Sequence, residues 1–70
     1  MKTEKHTLEP LLKEHDVAEA TGLSVATVRR WRLVREGPPY IKINSSVRYR
    51  AGDLMAWLAA RPMGGEQAGG

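Results

Sequence analysis

The sequence predicts a mainly α fold with a small β-hairpin, in which three helices are combined with a two-stranded wing. Two short segments with helical spacing flank Gly22, and two segments that alternate apolar and polar residues follow the Pro-Pro pair at residues 38–39. A last apolar segment has helical spacing between Ala51 and Pro62. The chain has 70 residues, which is enough for one small core.

Composition divides the chain into three parts. Residues 1–10 are polar and show no apolar periodicity, so we expect a flexible N-terminal arm. Residues 11–61 hold most of the large apolar side chains and are predicted to be the folded domain. Within it, Leu11 and Leu12 are expected to form a short extended segment over the core. Residues 62–70 are rich in glycine and are expected to be a disordered tail.

Residues 18–31 have the spacing of a helix-turn-helix. Ala18 is small enough to let a second helix cross closely, and Gly22 can adopt the left-handed conformation that ends a helix. Ser24 can cap the next helix through its hydroxyl, while Val28 and Trp31 point back towards the first helix. This spacing is typical of a DNA-binding motif: a glycine follows a small residue by four positions, and an apolar residue follows the glycine by six.

The first helix is predicted over residues 14–21 and the second over residues 25–35. Lys13, at the expected cap of the first helix, has no side-chain acceptor for a helix N–H group. Gly37 is expected to provide the left-handed cap of the second helix, because the prolines that follow cannot continue its hydrogen bonds.

The second helix is expected to present its outer face to duplex DNA. Four residues are assigned to the major groove: Ala26, Thr27, Arg29 and Arg30. Arg30 can donate two hydrogen bonds to a guanine edge and Ala26 can contact a thymine methyl, whereas Thr27 and Arg29 are directed at the phosphates beside the groove. Ser24, Arg32 and Arg35 are assigned to phosphates. For Arg32 and Arg35, a purely structural role on the helix surface is an equal alternative.

Charge supports this assignment because it is concentrated in one part of the chain. The net charge is +3, yet residues 24–50 contain seven arginine or lysine residues and a single acidic residue, Glu36. The flanking segments are both net acidic. Positive charge on the second helix and on the segment after it is what phosphate binding requires.

Residues 40–50 are predicted to form the wing. The segments 40–43 and 47–50 alternate apolar and polar residues, and residues 44–46 form the turn between them. Packing of Ile41, Ile43 or Val47, and Tyr49, on the helices is expected to hold the hairpin in place. Five residues are assigned to the DNA backbone or the minor groove: Lys42, Asn44, Ser45, Ser46 and Arg48.

The third helix is predicted from about Ala51 to a residue before Pro62, with an apolar face of Leu54, Trp57 and Leu58. Asp53 in its first turn suits the helix dipole. Trp57 is expected to belong to the core rather than to a binding surface.

Other functional classes find little support in the sequence. There is no cysteine, and His6 and His15 have no partners at metal-ligand spacing, so no metal site or cofactor is expected. No apolar segment approaches the length of a membrane span, and residues 1–10 do not resemble a signal peptide. There is no phosphate-binding glycine loop and no nucleophile with a partnered histidine, so no enzymatic activity is expected. The absence of cysteine fits a reducing cytoplasm, and we expect a cytoplasmic location, associated with the bacterial nucleoid when the protein is bound to DNA.

Over residues 11–61 the chain resembles the winged helix-turn-helix domain of small phage excisionases and AlpA-type regulators, within the MerR-like superfamily. The resemblance is carried by Leu11-Leu12, Ser24, Thr27-Val28-Arg29-Arg30-Trp31, Gly37-Pro38-Pro39, Ile41-Lys42, Val47-Arg48-Tyr49-Arg50, Asp53-Leu54 and Ala56-Trp57-Leu58. It implies that Ala26 and Arg30 reach base edges and that the wing visits the minor groove. Ala26 stands where an excisionase can have a long polar side chain.

The resemblance also implies a function. Excisionases of this family bind several adjacent sites beside an attachment site, bend the DNA and help a partner integrase to excise the element. A recombination directionality factor of this type, self-associating on DNA, is therefore the leading hypothesis. The alternatives are an AlpA-like transcriptional regulator that binds a promoter and a protein-interaction module whose basic face meets an acidic partner.

Overall fold

The computed structural model describes residues 10–64 of the chain. Its helices are α1 (Glu14–Thr21), α2 (Val25–Leu33) and α3 (Ala51–Ala59), and its strands are β1 (Leu11–Leu12), β2 (Ile41–Ile43) and β3 (Ser46–Arg50). The predicted combination of three helices with a β-hairpin is confirmed. The expected arm at residues 1–10 lies outside the described residues except for Pro10, as does the tail except for residues 62–64.

Helix α1 begins and ends where the sequence predicts. At its start the carboxylate of Asp16 accepts a hydrogen bond from the backbone N–H of Lys13 at 2.8 Å, so the missing cap at Lys13 is offset by the residue three positions later. At its end Gly22 has a φ of 75°, and the N–H of Leu23 donates to the carbonyl of Ala18 at 2.9 Å. The N–H of Gly22 also donates to the carbonyl of Glu19 at 3.3 Å, and these two bonds are those of a Schellman cap.

Helix α2 ends at Leu33, two residues earlier than expected. The left-handed residue of its cap is Arg35, with a φ of 58°, and the N–H of Glu36 donates to the carbonyl of Trp31 at 2.7 Å. The assignment of this cap to Gly37 is therefore wrong. Gly37 has a φ of 87°, but it lies beyond the cap and against the ring of Trp31.

The strands form one antiparallel sheet in the order β1-β3-β2. The predicted hairpin of β2 and β3 is present, with Asn44 and Ser45 as its two-residue turn; Asn44 has a φ of 60°. Ser46 pairs with Ile43, so its placement in the turn is wrong. The third strand, β1, is an addition to the predicted wing, since Leu11 and Leu12 pair with the end of β3.

The core lies between the helices and one face of this sheet. Its buried members are Val17, Ala18, Val28, Tyr49 and Leu54, and its half-buried margin consists of Leu12, Val25, Trp31, Val47 and Trp57. Val47 and Tyr49 thus attach the hairpin to the helices as expected, whereas Ile43 is half exposed. Trp57 packs at the margin beside Trp31, with ring centroids 5.1 Å apart. Leu58 remains more than one-third exposed.

Candidate nucleic-acid interface

The N-terminal half of α2 begins at a side-chain cap, packs one face against the core and leaves the other face exposed. The hydroxyl of Ser24 accepts a hydrogen bond from the N–H of Thr27 at 3.1 Å and lies 3.0 Å from the Thr27 hydroxyl. Val28 is fully buried against α1, and this fixes the rotation of α2 about its axis. Ala26, Arg29 and Arg30 are consequently exposed on the opposite side, where the sequence places them.

Arg30 is exposed, and among the described residues its side chain makes no hydrogen bond or ion pair. It lies one helical turn from Ala26 on the outer face of α2. A guanidinium that is not engaged by the protein keeps its five donors for a ligand. This is the property that base-edge contact by Arg30 requires.

Arg29, in contrast, is held by α1. Its Nε and Nη2 both donate to one oxygen of the Glu14 carboxylate, at 2.9 Å and 2.6 Å. The hydrogen bonds from Arg29 are the main reason that the pKa of Glu14 lies below its usual value of 4.5. The Arg29 side chain is still 61% exposed, so it reaches the surface while it is paired.

Arg32 is placed differently from its assignment to a phosphate. Its side chain is only 20% exposed, and it donates from Nη2 to the other Glu14 oxygen at 3.2 Å and from Nη1 to the Tyr49 hydroxyl at 3.0 Å. Its guanidinium also lies 5.8 Å from the centre of the Tyr40 ring. These contacts join α2 to α1 and β3, which favours the structural alternative for this residue.

Strand register separates Lys42 and Arg48, the two basic residues of the wing that the sequence assigns to DNA. Lys42 pairs with Val47, whereas Arg48 pairs with Ile41, so the two cations lie on opposite faces of the hairpin. Arg48 also donates from Nη1 to the carbonyl of Val47 at 2.8 Å. The sequence groups Lys42 and Arg48 together because alternation reveals a two-sided strand but not the pairing between strands.

A groove of about 500 Å³ lies between the helix-turn-helix and the wing. It brings together basic residues of α1, α2 and the wing: its lining is Lys13, Glu14, His15, Val25, Arg29, Arg32, Ser45, Val47 and Arg48. Helix α2 and the wing therefore border one positively charged groove, with Glu14 as the only acidic residue of that lining. A phosphodiester backbone is a ligand that suits such a groove.

The other predicted site residues are outside this groove. Asn44 is at the tip of the hairpin and is exposed, and Ser46 is exposed on β3. Arg35 occupies the cap that follows α2, at the end of the helix remote from Ala26. Two lining residues, Lys13 and His15, are absent from the sequence-based assignment, because their part in the groove depends on how α1 packs beside α2.

A helix-turn-helix followed by a basic β-hairpin defines this fold as a winged helix-turn-helix. Residues 11–62 match the model of a helix-turn-helix domain family, and the chain belongs to that family. The domain is a sequence-specific DNA-binding domain of a kind that is typically non-enzymatic. No curated protein matches the chain.

No helix within residues 10–64 has the length and apolar character needed to cross a membrane. The same residues contain no group of three or more histidine or acidic side chains arranged to hold a metal ion.

Proposed function

We propose that this chain is an excisionase-type recombination directionality factor. In this role it binds DNA beside an attachment site, bends it and promotes excision by an integrase, without performing chemistry itself. The observation that carries the proposal is the shared groove, in which cations of α2 and of the wing face one channel. The groove supports DNA binding in general. The resemblance of residues 11–61 to small excisionases is the reason for proposing a role in recombination.

The geometry supports DNA bending through the placement of charge. Arg30 on the outer face of α2 contacts base edges in the major groove, and Arg48 on the wing contacts the adjacent backbone or minor groove. A duplex that touches both has its phosphates neutralised on one side, and curvature towards the protein brings more phosphates within reach. Bending a binding site costs on the order of 1–6 kcal/mol, which several bound copies or the integrase would offset.

The individual site residues have separate roles in this proposal. Ala26 and Arg30 contact bases, while Thr27 and Arg29 contact the phosphates that flank them. Ser45 and Arg48 hold the backbone where it passes the wing, with Lys42, Asn44 and Ser46 near the minor groove. Ser24 and Arg35 add phosphate contacts at the two ends of α2. Copies bound side by side would associate on the DNA, in the bacterial cytoplasm and nucleoid.

The first experiment is a footprint of the purified protein on the DNA that flanks its own gene, combined with a bending assay on the same fragment. Several adjacent protected sites beside an integrase attachment site, with a bend, are the expected result. A single protected site over a promoter with little bend would instead support the AlpA-like regulator. Arg30→Ala serves as the matched binding control, because Arg30 has no partner within residues 10–64 whose loss would disturb the fold.

The protein-interaction module is tested in the same preparation. Binding to duplex DNA that weakens with rising salt identifies phosphates as the ligand of the basic groove. Absence of salt-dependent binding to any duplex would overturn the proposed function and favour an acidic protein partner.

A further inference from the structure

We infer that Glu14 is a specificity-determining residue of the DNA-binding surface, which holds Arg29 in one position and offsets its charge. The inference rests on the proposed function, since it concerns how α2 meets DNA. It assigns a role to an acidic side chain in a surface that is otherwise basic.

The first argument is the position of Glu14. Its side chain is 26% exposed and lines the groove that α2 and the wing share. A carboxylate at this place repels the phosphates that the surrounding arginines attract, so it lowers the affinity for any duplex. If phosphate affinity alone determined binding, a neutral residue would serve better at position 14.

The second argument is the geometry of the pair. Arg29 uses Nε and Nη2 on one Glu14 oxygen, and among the described residues its Nη1 makes no hydrogen bond, so the N–H groups of Nη1 remain for a phosphate. The second Glu14 oxygen is bound by Arg32, which Tyr49 holds from the sheet. The carboxylate is therefore fixed by the fold, and it restricts Arg29 to one placement.

Together, the position of Glu14 and its pairing with Arg29 predict that Glu14 raises the preference for the specific DNA site, rather than only lowering the affinity for all DNA. A mobile arginine follows phosphates in whichever register the duplex is bound, and this flexibility favours non-specific complexes. An arginine that is held in place and partly neutralised gains full contact only where the backbone runs past Nη1. The DNA site that α2 recognises places the backbone in that register. Glu14 therefore lowers the affinity of the non-specific complex more than that of the specific complex.

The test is the variant Glu14→Gln, compared with Glu19→Gln. Both changes remove one negative charge from α1, but Glu19 is exposed and does not line the groove, so long-range electrostatic effects are matched. Binding to a random-sequence duplex and to the site selected from a randomised duplex library is measured over a series of salt concentrations.

For Glu14→Gln we expect random-duplex binding to tighten roughly fivefold, with a salt slope steeper by about 0.9, as for one additional phosphate contact. The selected site is expected to gain less, so the ratio of specific to random affinity falls. Glu19→Gln should leave that ratio unchanged. An unchanged ratio in Glu14→Gln, or equal effects of the two variants, would overturn the inference.

The wild-type protein provides a second measurement that is independent of how Glu14→Gln folds. In nitrogen-15 NMR spectra, the Nε–H of Arg29 should remain protected from exchange in the complex with the selected duplex, because Glu14 still accepts it. Loss of that protection in the specific complex would overturn the inference. If the wild-type protein shows no salt-dependent binding to either duplex, the proposed function itself fails.

Discussion

Gly37 lies directly against the indole of Trp31, so closely that a Cβ atom at position 37 would be 2.8 Å from both Cβ and Cε3 of the tryptophan. The backbone of Gly37 also has a φ of 87°, a conformation that other residues rarely adopt. The segment after α2 therefore depends on glycine for two reasons, one steric and one conformational.

Gly37→Ala is expected to destabilise the domain by about 2–4 kcal/mol, from backbone strain and from overlap with the Trp31 ring. Gly22→Ala is the control, because Gly22 has a φ of 75° but an added Cβ would meet no atom within 4 Å. We expect it to cost about 1–2 kcal/mol from strain alone. Urea denaturation measures both, and equal losses would contradict the steric contribution at Gly37.

Tyr49→Phe removes a hydroxyl that accepts a hydrogen bond from Arg32 at 3.0 Å. Tyr49 is 1% exposed, and its partner is charged, so we expect a loss of about 1–2 kcal/mol in the free energy of unfolding. Tyr40→Phe is the matched control: Tyr40 is half exposed, and within the described part of the chain its hydroxyl makes no hydrogen bond. A Tyr49→Phe protein as stable as Tyr40→Phe would show that the Arg32 bond contributes nothing.

Ser24→Ala leaves the N–H of Thr27 without its side-chain acceptor at the start of α2. The expected cost is about 1 kcal/mol, whereas Ser24→Thr keeps the acceptor and should remain close to wild type. Thermal unfolding followed by circular dichroism separates the two variants. Equal melting temperatures would mean that the cap does not stabilise α2.

Arg30→Ala and Lys42→Ala are expected to change DNA binding in different ways. Loss of a base-edge contact at Arg30 should cost the specific complex about 1–3 kcal/mol and leave random duplex less affected. Loss of the Lys42 contact near the minor groove, or of the backbone contact at Arg48, should weaken both complexes about equally and reduce the salt slope by about one. A preference for the selected site that survives in Arg30→Ala would refute the base-contact role of Arg30.

The ion pairs of Glu14 predict an acid-dependent loss of stability. Its pKa is lowered below 4.5 by the hydrogen bonds from Arg29 and Arg32, so the ionised carboxylate stabilises the fold above that pH. The stabilisation should be lost as the pH falls from 4.5 through the lower pKa of the folded state. The difference in unfolding free energy between wild type and Glu14→Gln, measured from pH 7 to pH 3, should shrink over this interval. A difference that is constant with pH would contradict the assignment.

Features of the fold that have a recognisable local residue signal were predictable from the sequence. Helix α1 has the predicted bounds because Gly22 and the acidic first turn are local signals at its two ends. The end of α2 was misplaced because Arg35, rather than a glycine, adopts the left-handed conformation of its cap. Arginine carries no preference for that conformation, so the hydrogen bond from Glu36 to Trp31 could not be foreseen.

Features that join distant residues escaped the prediction. Leu11 and Leu12 pair with residues 49–50, a partnership that no local pattern encodes. The contacts of Glu14 reach across 15 and 18 positions of the chain, and they pair α1 with Arg29 and Arg32, both of which were assigned to DNA, with a structural role as an equal alternative for Arg32. The outer face of α2 could be anticipated because Val28 determines the orientation of the helix, whereas the engagement of each arginine depends on the tertiary packing.

Strand β1 connects the wing to the helices. Its two residues are hydrogen-bonded to the base of β3, and the segment that continues from it leads directly into α1. Arg32 of α2 is in turn hydrogen-bonded to the hydroxyl of Tyr49, which lies in β3. The hairpin is therefore connected to α2 through β1 and Tyr49. In the proposed DNA complex, the spacing between the contacts of α2 and those of the wing would be set by the fold of the protein.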